Sequence, residues 1–299
     1  MTARVVDGDR RFRFAQFEFP WALGPDDGRY VLRSADSREP SHVLVLTTLG
    51  ASQRRLLRRR RPRAAEPEPD PRPVCTTRVT VIEAEPLSPA DADAWLGGVG
   101  REGSGRALDE ALGTVNRTLR AHRVAAADPS IHDLSRDQAL VSRLGHGSGE
   151  QVADGRWTEA IEVPLDTHRR QRRIAVLRPQ ERIAALLGGR DEPLACEELA
   201  LRARVDLRAG RHREAALQLR VALEAALAEL RPGDARDMSR RLEELRDRRA
   251  AVGSAANEAL SGRPSQETVA AVEQALGRLE AALRARAAAG LRSDPQVER

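Results

Sequence analysis

Six of the eight aromatic side chains, Phe12, Phe14, Phe17, Phe19, Trp21 and Tyr30, fall within the first thirty residues of this 299-residue chain. Aromatic and β-branched side chains favour the pleated, half-buried surface of a strand, whereas Leu and Ala at spacings of three and four suit helices. The segregation therefore divides the chain before any motif is read, with strands first and helices after. A chain of this length is also long enough for two domains, each with its own core.

The N-terminal part alternates. In RFRFAQFEF, residues 11 to 19, the period of two at Phe12 and Phe14, continued through Ala15 and Phe17, places one strand face on a core. PDDG at 25 to 28 is turn chemistry, and GRYVLRS behind it reads as the returning strand. HVLVLTTLG, residues 42 to 50, is a continuous apolar run expected to be buried on both faces, and 75 to 85 alternates again with Val79 and Val81 on one side. Ser88 and Pro89 open a short helix through Trp95. Leu108, Leu112, Val115 and Leu119 stripe a longer one over about 105 to 122, and strands are expected at 139 to 144 and in TEAIEV. These elements predict an α+β domain over residues 1–165, an antiparallel or mixed sheet with one or two helices.

Beyond a basic linker at 166–178, residues 179–290 show helical periodicity and predict an all-α bundle, followed by a disordered tail at 291–299. Ala216, Leu219, Leu223, Ala226 and Leu230 make one seam, and Met238, Leu242, Leu245 and Val252 a second interrupted by Arg249. Val269, Val272, Leu276, Leu279 and Leu283 make a third, which can pack within the bundle or against a partner helix, including a second copy of the chain. The segment LRARVDLRAGRHREAALQLRVALEAAL, with Gly210 at its turn and Ala215 and Ala216 at the close approach, resembles a single tetratricopeptide hairpin. No second copy follows at the repeat period, so the resemblance implies packing chemistry and no solenoid.

Charge is concentrated. All 50 basic side chains are arginine, and Arg54, Arg55, Arg58, Arg59, Arg60, Arg61 and Arg63 lie in one acid-free stretch. Removing these seven turns the formal charge from +5 to −2. Such a run can contact the phosphates of RNA, DNA or anionic lipid, but it lacks interleaved aromatics for base stacking and is followed by Glu66, Glu68 and Asp70. With its prolines it predicts a flexible excursion at 52–73 between two strands. THRRQRR at 167–173 is a smaller basic cluster.

Candidate sites are few. Gly145, His146, Gly147, Ser148 and Gly149 follow a strand and could bring backbone amides to a phosphate, although they match neither the dinucleotide fingerprint nor a nucleophile elbow. The surrounding GHGSGEQVADGRW resembles a segment of a high-GC actinobacterial protein family, which implies a source and no activity. The six histidines, His42, His122, His132, His146, His168 and His212, form no metal-ligand spacing, so neither metal nor cofactor is expected, though His132, Asp133 and His146 could meet through the fold. Cys75 and Cys196 read as small buried hydrophobes, and Trp157 as the seal of a core. No apolar run reaches membrane-spanning length and no signal-peptide pattern opens the chain, which points to a cytoplasmic protein. The reading leans away from an enzyme and toward a protein–protein interaction or regulatory role, with polyanion association through the arginine run and small-molecule or phosphate binding at the glycine segment as alternatives.

Overall fold

The aromatic, alternating run forms β1 (Phe12–Phe19), an inner strand of a six-stranded antiparallel sheet. In a computed structural model the residues described are 10–33, 39–50, 75–164 and 179–290, and they belong to two units, Met1–Asp166 and Thr167–Arg299. The sheet is completed by β2 (Gly28–Arg33), β3 (Pro40–Leu49), β4 (Thr76–Glu83), β5 (Val141–Gly147) and β6 (Glu159–Glu162), in the order β2-β3-β4-β1-β5-β6. The arginine run and the whole of 52–73, the 167–173 cluster and the tail lie outside the described residues.

One face of the sheet carries the main core. Ala15, Phe17 and Phe19 of β1, Leu44 and Leu46 of β3, Val79 and Val81 of β4 and Leu144 of β5 pack with Leu96 of α1 (Pro89–Gly98) and Leu108, Leu112, Val115 and Leu119 of α2 (Arg101–Ala126). Burying each of these larger side chains contributes roughly 1.5–3 kcal/mol relative to leaving it in water. Phe12 and Phe14 do not share that face. The period of two sends them to the other side, where Phe14 and Ile82 meet Val152 of a short 3-10 turn, Glu150–Asp154. Trp157 stacks on Phe14 at 5.7 Å between ring centroids, as a core seal should.

That second cover is small, which corrects the expectation for β3. Leu44 and Leu46 are buried, but Val43 and Val45 are only half-buried, because helices cover one face and a single turn part of the other. Gln16, on the lightly covered face, is fully buried and satisfied: its amide donates to Thr80 Oγ1 at 3.0 Å and accepts from Arg143 at 3.2 Å. Glu18 beside it accepts from Arg78 at 2.9 Å and Arg143 at 3.1 Å.

The second unit is a helical bundle of α3 (Pro179–Leu187), α4 (Ala195–Arg208), α5 (His212–Glu229), α6 (Met238–Ser261) and α7 (Gln266–Gly290). α4 packs on α5, α5 on α6 and α6 on α7, while α7 also meets α4 and α5. Gly210 takes φ +70° at the α4–α5 turn, and fully buried Ala215, Ala216 and Ala222 let the helices approach closely. Leu219, Leu223, Met238, Leu242 and Leu245 fill the centre. Val272, Leu276, Leu279 and Leu283 join them, with Val269 half-buried. The third seam is therefore taken up by the chain's own core and is not a free surface for a partner helix, because α7 needs that stripe to close the bundle.

Candidate functional site

Alternation along β5 decides what each residue of the glycine-rich segment does. Ser142, Leu144 and His146 point to the helix-covered face, and Arg143, Gly145 and Gly147 to the other. A Cβ on Gly145 would lie 2.4 Å from the Glu159 carbonyl oxygen and 2.8 Å from Phe14 Cε1, and one on Gly147 would lie 2.5 Å from Val152 Cγ1. These glycines admit β6 and the 3-10 turn against the strand. Residues 145–147 are thus strand and not loop, and protein fills the space that side chains at Gly145 and Gly147 would occupy. Beyond them Ser148 accepts from Gln151 Nε2 at 2.5 Å, and Gly149 adopts φ +128° at the start of a turn of five residues.

His146 is the residue of that segment with unspent chemistry. Its antiparallel neighbours are Arg13 on β1 and Glu159 on β6, which share its face, and α1 lays Asp93 over the same strand. The capping of α1 fixes that approach, with Ser88 Oγ accepting from the Asp91 amide at 3.2 Å and Pro89 preset in the first turn. The imidazole is completely buried. Nε2 stands 3.1 Å from Asp93 Oδ1 and 4.0 Å from Glu159 Oε2, yet neither ring nitrogen makes a hydrogen bond of acceptable geometry. Both acids are about three-fifths exposed, at 61% and 60%, so the cluster opens to solvent on their side.

The neighbouring cation is already engaged. Arg13 pairs with Glu83 and sits over the Trp95 ring at 5.6 Å, leaving Asp93 and Glu159 to face the histidine. Burial pushes the Glu83 carboxyl above its ordinary range, against the opposing pull of Arg13 and with the help of Glu85 and Glu110. One imidazole nitrogen and two carboxylates on rigid elements can hold a proton between them or donate electron pairs to a cation.

The other sequence candidates lie elsewhere. His132 and Asp133 do not join His146. They line, with Trp21, Asp128 and Ile131, a cavity of about 510 Å³ beside the loop that follows α2. His42 is half-buried, its pKa lowered by burial and by Arg117, and His168 lies outside the described residues. Cys196 is fully buried and its thiol is pushed up to about 12 by burial and by the Glu229 carboxylate, whereas Cys75 is half-buried on the other unit. Asp93 and Glu159 were not singled out by sequence, since neither stands near His146 along the chain. The available signal was the phase of VSRLGHG, which puts His146 on the same face as Leu144.

No helix among the described residues is long and apolar enough to cross a membrane. No protein-family model, curated protein or solved structure matches the chain.

Proposed function

We propose that this chain is a non-catalytic interaction protein that receives an amphipathic helix of a partner protein on the outer side of the α4–α5 hairpin. The observation that carries the reading is a set of exposed apolar side chains on an otherwise well-packed hairpin. Leu201 and Val205, one turn apart on α4, are 64% and 48% exposed, and Val221 on α5 is 55% exposed. Their positions on rigid helices suit helix-in-surface recognition, which relies on apolar anchors spaced by three and four. Glu198 and Arg202, an exposed ion pair one turn apart at 2.9 Å, provide a polar border.

Changing Leu201 and Val205 together to Glu tests this. Surface substitutions of this kind move stability by only about 0.5 kcal/mol, so the bundle stays folded. A polypeptide that co-purifies with the unaltered chain at fixed stoichiometry is expected to be lost with the double variant. Equal recovery with both chains would refute the assignment.

Polyanion association is the second reading, supported by seven arginines within residues 54–63. It predicts binding to an RNA or DNA duplex that weakens steeply with salt and is lost when Arg58, Arg59, Arg60 and Arg61 become Gln. Salt-insensitive binding, or none, would dismiss it.

A further inference from the structure

We propose that Asp93, His146 and Glu159 form a binding site for a divalent transition-metal ion of the zinc class, using His146 Nε2 and one oxygen from each carboxylate. Three observations converge on it. The donor atoms already lie within 4.8 Å of one another. A tetrahedral zinc site, with bonds of about 2.0–2.2 Å, places its donors roughly 3.3–3.6 Å apart. Asp93 and Glu159 are exposed side chains, so they can close the remaining distance by rotation without disturbing the core.

The histidine is the second, independent indication. A fully buried imidazole with neither nitrogen hydrogen-bonded is a costly arrangement, since buried polar atoms are nearly always paired. An ion at Nε2 gives that atom a directed partner, where the 3.1 Å approach of Asp93 lacks hydrogen-bond geometry. The donor set also selects among cations. Magnesium and calcium favour oxygen ligands throughout, while an imidazole nitrogen with carboxylates suits zinc, cobalt or manganese. Arg13, the cation opposite His146 on β1, is held by Glu83.

Three protein donors leave a fourth position, and it faces solvent on the side of the exposed acids. Nδ1 finds no acceptor among the described residues, so the ring is oriented by packing alone. Supporting hydrogen bonds of that kind are worth about 10–100-fold in affinity, and the site should be weaker than a fully supported one by that factor.

The test is titration of the full chain, freed of metal by chelation and carrying no histidine tag, with Zn²⁺ followed calorimetrically and Co²⁺ followed by visible absorption. About one ion per chain is expected, with a cobalt spectrum of low coordination number. Asp93→Asn and Glu159→Gln, both at exposed positions and expected to fold, should each weaken binding by more than about tenfold. His146→Asn should abolish it, with circular dichroism confirming the fold. Absence of binding would mean an ion pair with Asp93 only and overturns the proposal. Full affinity in both acid variants, or Mg²⁺ binding as tightly as Zn²⁺, overturns it as well. The site lies in the first unit and the proposed partner surface in the second, so either can fail without the other.

Discussion

Gly145 shows how much a single missing methyl can organise. Its hypothetical Cβ overlaps the Glu159 carbonyl oxygen, Ala160 Cβ and Phe14 Cε1, so Gly145→Ala forces β6 and the Phe14 ring apart. The expected cost is about 1–3 kcal/mol, the range for overpacking a close-packed interior. Gly113, exposed within α2 and with no atom within 4 Å of an added Cβ, is the counter-case, and Gly113→Ala should stabilise by roughly 0.5–1 kcal/mol. Urea denaturation of the two variants should give shifts of opposite sign; destabilisation by both would contradict the assignment. The same residue explains what sequence could not resolve. A run of closely spaced glycines is equally consistent with a backbone approaching a phosphate and a backbone approaching another strand. Only the pairing of Gly145 with Ala160 on β6 decides between them. Cys196 belongs at this scale too. Fully buried, with its thiol pushed up to about 12, it should resist alkylation at pH 8 until the bundle unfolds, and rapid modification of Cys196 itself in the native protein would show the helix is not seated as described.

At the level of elements, α4 begins without an N-cap acceptor, because Leu194 offers no side-chain oxygen, and its own Glu197 reaches back only to the Leu194 amide at 3.1 Å. Glu229, from the end of α5, substitutes, accepting from the Ala195 amide at 3.2 Å and the Cys196 amide at 3.0 Å. Glu229→Ala should therefore destabilise the bundle by about 1 kcal/mol, as loss of a helix cap does. Burial alone would raise the Glu229 pKa, but the amides of Cys196 and Ala195 and the charge of Arg286 outweigh it and hold it below its usual value of 4.5. Asp191 is likewise lowered from 3.8 by the Glu192 amide and by Arg286 and Arg182, against its own desolvation. A carboxylate with a lowered folded-state pKa contributes stability above its unfolded value and loses it as pH falls through the folded one. The bundle should accordingly weaken below about pH 4.5, and a helical signal unchanged to pH 2 would contradict this. Element positions were legible because period-two and period-3.6 patterns are local properties. The two-sided burial expected of β3 failed because a sheet's second cover is supplied by a distant segment, here Val152 and Trp157, that no window around 42–50 contains.

Across the whole molecule, α+β organisation followed by a helical bundle was readable from the aromatic segregation, while the site was not. Asp93, His146 and Glu159 come from α1, β5 and β6, and meet only because β5 pairs with β1 on one side and β6 on the other. The α7 stripe was visible as apolar in sequence, but whether it served a partner or the chain itself depended on how the other helices surround it. Among the described residues the bundle leaves large apolar side chains exposed on several helices, Ile183 and Leu187 on α3 and Leu260 on α6 among them, and Leu201 and Val205 are the pair one turn apart on the hairpin. The most direct measurement is photo-crosslinking in the cells that make this protein, with a photoreactive side chain placed in turn at Leu201 and at Arg240, an exposed position on α6. The account predicts a discrete polypeptide adduct from position 201 and none from position 240. Identical adduct patterns at the two positions, or no adduct at 201, would contradict it.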